Sequence, residues 1–114
     1  MIVAFGATGR VGRLVVERLG RAGRPVRCVT RDPVAARNTL PAGAEIVPAD
    51  ADAPATLEPV LRAASAVLIA TPVGPRLAAQ QIAIVDAAVR AGVRQIVKLS
   101  ASAWTMQPGA TTTI

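Results

Sequence analysis

The stretch Gly6-Ala7-Thr8-Gly9-Arg10-Val11-Gly12, which follows directly on the apolar run Met1-Ile2-Val3-Ala4-Phe5, restricts this chain more than any other. A short apolar run ended by glycine reads as a buried strand. Gly6 permits a tight turn at its end, Gly9 lets the backbone come within contact distance of a ligand, and Gly12 lets the next helix lie close to the strand. The free N–H groups of such a helix start, added to the positive end of its dipole, attract an anion. A dinucleotide pyrophosphate suits that geometry. Glycines alone are weak evidence, since turns of every kind use them. Here the strand before, the amphipathic helix after and a second strand ending near residue 30 supply the context that the motif requires.

After the turn, Val11, Leu14, Val15 and Leu19 recur at helical spacing, while Arg13, Glu17, Arg18 and Arg21 take the other face. Glu17 stands four residues from both Arg13 and Arg21, and Gly20 or Gly23 ends the helix. Residues 25–30 read as the second strand and residues 34–40 as a short helix or turn. Residues 44–48 follow as a third strand, with Pro48 near its end, where a missing donor is tolerated. A short helix over residues 56–64 turns Leu57, Val60 and Leu61 inward. Residues 66–70 are wholly apolar, as at the centre of a parallel sheet. The clearest helix spans residues 76–91, with Leu77, Gln81, Ile84, Val85, Ala88 and Val89 along one side and Gly92 as its stop. Residues 93–99 complete the series as a fifth strand. Strands alternating with helices predict an α/β, Rossmann-type doubly wound parallel sheet in the order 3-2-1-4-5, given right-handed crossovers. The expected domain covers residues 1–102. Residues 103–114 show neither periodicity and read as a loosely ordered tail.

Composition narrows the classes. A chain of 114 residues with 52% hydrophobic and 18% charged residues fits one folded domain and not a disordered segment. The longest uncharged apolar run, residues 63–73, is interrupted by Ser65, Thr71 and Pro72 and is too short to span a membrane. Met1 enters a strand at once, which leaves no charged-then-apolar leader, so a cytoplasmic location is expected. Cys28 is the single cysteine, so an internal disulfide and a thiolate metal cluster are excluded; no metal site is expected. In a buried strand it acts as a small apolar residue. The net charge of +6 invites comparison with nucleic-acid binders, but twelve of the thirteen basic residues are arginines scattered from Arg10 to Arg94. With one Trp and one Phe there is no stacking platform, and no nucleic-acid partner is expected.

Arg31-Asp32-Pro33 bears on cofactor choice. An acidic side chain in this loop suits the ribose hydroxyls of NAD, whereas an arginine accommodates the 2′-phosphate of NADP. Arg31 stands first after the strand, and a guanidinium matches phosphate geometry. Asp32 reads as the cap of the following helix, with Pro33 in its first turn. Asp32 can also swing to the ribose and pair with Arg31. The loop favours NADP over NAD.

The glycine stretch, Thr30-Arg31-Asp32-Pro33, Ala49-Asp50, and Asp86-Ala87-Ala88-Val89-Arg90-Ala91-Gly92-Val93 with Lys98-Leu99-Ser100 together resemble the atypical short-chain dehydrogenase/reductases. Within them the chain looks most like the NmrA-like group, which includes NADPH-dependent quinone reductases and redox-sensing regulators. The resemblance covers roughly residues 1 to 102. It implies that Thr8, Gly9, Arg10 and Val11 wrap the pyrophosphate, with Gly6 and Gly12 among the cofactor-binding residues, and that Arg31 meets the adenosine phosphate. It also implies that Asp50 and Ala51 lie near the adenine and Thr71 and Pro72 near the nicotinamide ribose. A catalytic residue is not assigned: the Tyr-x-x-x-Lys dyad of the wider superfamily cannot form without tyrosine, and in this group hydride can pass directly from the nicotinamide to a quinone. Relatives continue well beyond the fifth strand with a region that closes over the substrate, so the cover is expected from a partner subunit or from further residues. The expected activity is that of an NADPH-dependent oxidoreductase of quinone-reductase type. The alternative is a dinucleotide-binding module without turnover, either a redox sensor or a truncated remnant.

Overall fold

Residues 1–71 and 74–99 are described by the computed structural model. Strand β1 (Ile2–Phe5) is followed by α1 (Arg10–Arg21), β2 (Val26–Thr30), α2 (Pro33–Arg37) and β3 (Glu45–Pro48). A 3-10 turn (Pro54–Thr56) then leads into α3 (Leu57–Val60), β4 (Ala66–Ile69), α4 (Leu77–Arg90) and β5 (Gln95–Lys98). All neighbouring strands pair in parallel, in the order β3-β2-β1-β4-β5, as the alternation predicted. Every strand therefore delivers its carboxyl end to the same rim.

Alternate residues of the strands feed two cores. Val3, Phe5, Val29, Val67 and Ile69 pack with Leu57, Val60 and Leu61 of the α3 region and with Ile84, Ala87 and Ala88 of α4. Ala4, Cys28 and Leu68 face the other way, toward Val16 of α1 and Ala36 of α2. Leu57, Val60 and Leu61 are buried as expected. Arg27 braces this layer. Its Nη1 donates to the carbonyls of Val60 and Arg62, both at 3.0 Å, and its Nε lies 3.3 Å from Glu45. The guanidinium thus satisfies carbonyls left open where α3 ends.

The two long helices keep part of the expected face, with Val15 and Leu19 against the core and Gln81, Ile84 and Ala88 buried, but the stripe is rotated so that other expected positions face out. In α1 the buried positions are Gly12 and Val16, while Val11 and Leu14 are each 48% exposed. The reason is Gly12, whose missing Cβ would stand 2.2 Å from the Gly6 carbonyl oxygen: that close approach turns residues 12 and 16 inward. In α4, Val85 and Val89 face out at 36% and 66% exposure, and the small Ala87 and Ala88 face in beside Gln81 and Ile84. Alanines let the helix axis come closer to the sheet than valines would. Gly23 ends α1 in a left-handed conformation, φ +75°, with the Arg24 amide donating to the Leu19 carbonyl; Gly20 lies inside the helix. Gly92 ends α4 the same way, at φ +76°. Of the expected helix over residues 56–64 only Leu57–Val60 is α-helical; the 3-10 turn precedes it, and residues 61–63 form a turn in which Ala63 takes a positive φ of 63°.

Candidate functional site

The glycine turn connects β1 to α1 as the spacing predicted, and each glycine has its own reason to be there. Gly6 has φ +80°, and a Cβ on it would stand 2.3 Å from the Ala70 carbonyl oxygen. The turn is therefore seated on the end of β4. The Gly9 amide closes the turn on the Gly6 carbonyl at 3.1 Å. A Cβ at Gly9 would meet that carbonyl at 3.3 Å and the Ala70 carbonyl oxygen at 4.0 Å and nothing else nearby, so the Gly9 backbone presents a largely open surface. Thr8, Gly9, Arg10 and Val11 are exposed, whereas Ala7 is buried.

Helix α1 starts without a side-chain cap and without an acidic residue in its first turn. The Arg13 amide donates to the Gly9 carbonyl, but among the described residues the amides of Arg10, Val11 and Gly12 have no backbone acceptor. Unpaired amides at a helix start carry partial positive charge, and Arg10 and Arg13 add whole charges next to them. The arrangement can hold a polyanion by its backbone.

The other expected residues arrive at the same rim because their strands are neighbours. Arg31 follows β2 and is exposed; Asp32 caps α2 through Oδ1, which accepts from the Ala35 amide at 3.1 Å, with Pro33 as the first helical residue. Asp50 and Ala51 follow β3 and are half-buried. The Asp50 Oδ1 accepts the Asp52 amide at 2.8 Å, and its own amide donates to Thr56 Oγ1 at 2.9 Å, so Asp50 organises its loop. Ala51 leans on the α3–α4 core. Thr71 follows β4, and its Oγ1 is buried with no partner among the described residues. A buried, unpaired hydroxyl is costly enough to mark a place where a further polar group belongs. Pro72 and Ser100 lie outside the described residues, as does the expected tail. Lys98 ends β5, an exposed edge-strand residue.

A cluster that the sequence did not reveal lies beside these residues. Asp52 accepts from Arg76 Nε at 2.7 Å and from Gln80 Nε2 at 3.2 Å, tying the loop after β3 to the start of α4. The Arg76 hydrogen bond, chiefly, holds the Asp52 carboxyl below the usual carboxylate range, with smaller help from Gln80 and from the charge of Arg31. No local pattern links positions 24 apart in sequence, so only the sheet order brings them together. At the far rim a groove of about 1030 Å³ opens between the second half of α1 and the turn before β3, lined by Val16, Leu40 and Glu45 among others. Arg13, one turn into α1, also lines it. Among the described residues no helix is long and apolar enough to cross a membrane.

The sequence pattern of the NmrA-like family matches residues 1–103. A (4-alkanoyl-5-oxo-2,5-dihydrofuran-3-yl)methyl phosphate reductase of Streptomyces griseus subsp. griseus is 42% identical over 107 residues, covering 88% of this chain and 34% of that protein. The structure is similar to that of an NADPH-dependent quinone oxidoreductase of Escherichia coli complexed with NADPH, at 28% identity and a TM-score of 0.78, covering 86% of this chain and 36% of that one. It is similar also to the triphenylmethane reductase of Citrobacter sp. complexed with NADP(H), at 28% identity and a TM-score of 0.73, covering 85% and 36%. The chain spans about a third of the length of each. With its strand order, its glycine turn and residues 1–103 all in register, the chain belongs to the NmrA-like family.

Proposed function

We propose that this chain is the cofactor-holding part of an NADPH-dependent oxidoreductase of quinone-reductase type. The observation that carries the reading is the juxtaposition of three unpaired amides at the start of α1 with Arg31 on the same rim. A pyrophosphate fits the first and a 2′-phosphate the second. Three features fit the group: the open surface over Gly9, the unanswered amides of Arg10, Val11 and Gly12, and the unpaired Thr71 hydroxyl toward the nicotinamide end. The two solved relatives, complexed with NADPH and with NADP(H), support the same cofactor.

A bound nicotinamide supplies the hydride. The residues of this chain hold and orient: Gly6, Thr8, Gly9, Arg10, Val11 and Gly12 wrap the pyrophosphate, Arg31 takes the 2′-phosphate, Asp50 and Ala51 flank the adenine, and Thr71 and Pro72 flank the nicotinamide ribose. A quinone that takes up one hydride and one proton leaves as the hydroquinone, so no protein nucleophile is required. The sequence has no His and no Tyr to act as a general acid. Exclusion of water from the transfer needs a cover, from residues beyond this chain's fold or from a second subunit. A cytoplasmic setting, with its NADPH supply, suits the proposal.

Calorimetric titration of the 114-residue chain with NADPH and NADH tests the reading. Micromolar NADPH binding with weaker NADH supports it, and a folded chain that binds neither overturns it for this chain. Turnover of NADPH with a quinone then separates an enzyme from a non-catalytic, redox-sensing module.

A further inference from the structure

Three acids, Asp32, Asp50 and Asp52, and two arginines crowd the adenosine end of the rim, and their pairing is selective; Asp32 is held as the cap of α2 by the Ala35 amide. Strands β2 and β3 are hydrogen-bonded neighbours, Thr30 is in register with Pro48, and the Ala49 amide donates to the Thr30 carbonyl at 3.1 Å. Arg31 therefore leaves the sheet beside the loop that bears Asp50 and Asp52. The Asp50 carboxylate is turned onto its own loop by the Asp52 amide. Both Asp52 oxygens are engaged from the opposite side, Oδ1 by Arg76 and Oδ2 by Gln80. Among the described residues Arg31 has no carboxylate within ion-pair distance.

We infer that Arg76 determines which dinucleotide the rim accepts without touching it, by holding Asp52 and so leaving Arg31 unpaired for a 2′-phosphate. The inference rests on the cofactor reading proposed above. Released from Arg76, the Asp52 carboxylate would act against the phosphate twice: it would pair with the Arg31 guanidinium, and its charge would repel the incoming dianion. Exposed pairs in water are weak, so the effect is a matter of several-fold affinity and not of all or none. A simple brace between the loop and α4 would behave differently, since its loss would loosen every nucleotide alike.

The test is calorimetric binding of 2′,5′-ADP and 5′-ADP to the full chain, to Arg76→Gln, and to the double variant Arg76→Gln with Asp52→Asn. Arg76→Gln is expected to weaken 2′,5′-ADP by about three- to tenfold while leaving 5′-ADP unchanged. Adding Asp52→Asn is expected to return 2′,5′-ADP to within about twofold of the parent, because the competing charge is gone. That rescue cannot come from mended structure, since the double variant has no pair to rebuild. Equal loss for both nucleotides, no loss at all, or a failure of Asp52→Asn to rescue overturns the inference about Arg76. A parent chain without preference for 2′,5′-ADP overturns the cofactor reading itself, and this inference with it.

Discussion

The glycines of the first turn make unequal demands, and substitution separates them. Gly12→Ala places a methyl 2.2 Å from the Gly6 carbonyl, so about 2–3 kcal/mol of stability should be lost, visible as a lowered urea midpoint. Gly9→Ala meets the Gly6 oxygen at 3.3 Å and the Ala70 oxygen at 4.0 Å, and should leave the midpoint within about 1 kcal/mol of the parent while weakening NADPH binding. Equal stability losses would remove the distinction between a packing glycine and a ligand-facing one. Arg31→Ala should weaken NADPH by about 1–3 kcal/mol and NADH far less, measured by calorimetry. Cys28 reports on the interior. It is fully buried, and that burial, with a smaller push from Glu45, raises its thiol to about 11. In the unfolded chain the thiol ionises near 9.0. The contribution is complete below pH 9 and lost as pH rises toward 11, so thermal melts should fall across that interval in the parent and less steeply in Cys28→Ala. The roles of Gly6, Gly12 and Asp32 were legible because each acts over a fixed short spacing. Arg76 and Asp52 were not, because their pairing depends on which strands are neighbours.

Among the elements, existence and order could be read and rotation could not. Helix α1 carries apolar residues at positions 11, 14, 15, 16 and 19, enough to draw an apolar stripe at more than one phase. Tertiary contact chose between them, through the meeting of Gly12 with Gly6. In α4 the choice went to the smaller side chains. Its outer stripe of Ile82, Val85 and Val89 is correspondingly apolar. The α3 layer depends on Arg27, a residue that a strand pattern would count as solvent-facing. Arg27→Met keeps the aliphatic stem but leaves the Val60 and Arg62 carbonyls without a donor, and should cost about 1–3 kcal/mol in urea unfolding. At α2, Asp32→Ala should cost about 1 kcal/mol through the lost cap.

At the scale of the molecule, parallel pairing puts the ends of β1, β2, β3 and β4 on one rim, which brings residues spread from position 6 to position 71 to the same end of the sheet. The edges are less complete. Val97 pairs in register with Leu68 on the face that α1 and α2 cover, yet it is 44% exposed and Leu99 is 37% exposed. The close seating of Gly6 on Ala70 has a kinetic consequence. Two of the four loops at this rim are fixed to each other by main chain, and the Ala70 amide is bonded to the Phe5 carbonyl at 2.9 Å, so under the proposed cofactor reading no closure of one on the other has to precede capture. Nucleotide association should then be a single encounter step. In stopped-flow mixing, the observed rate should climb in proportion to nucleotide concentration without levelling off, the behaviour of a receptor whose binding shape exists before its ligand arrives.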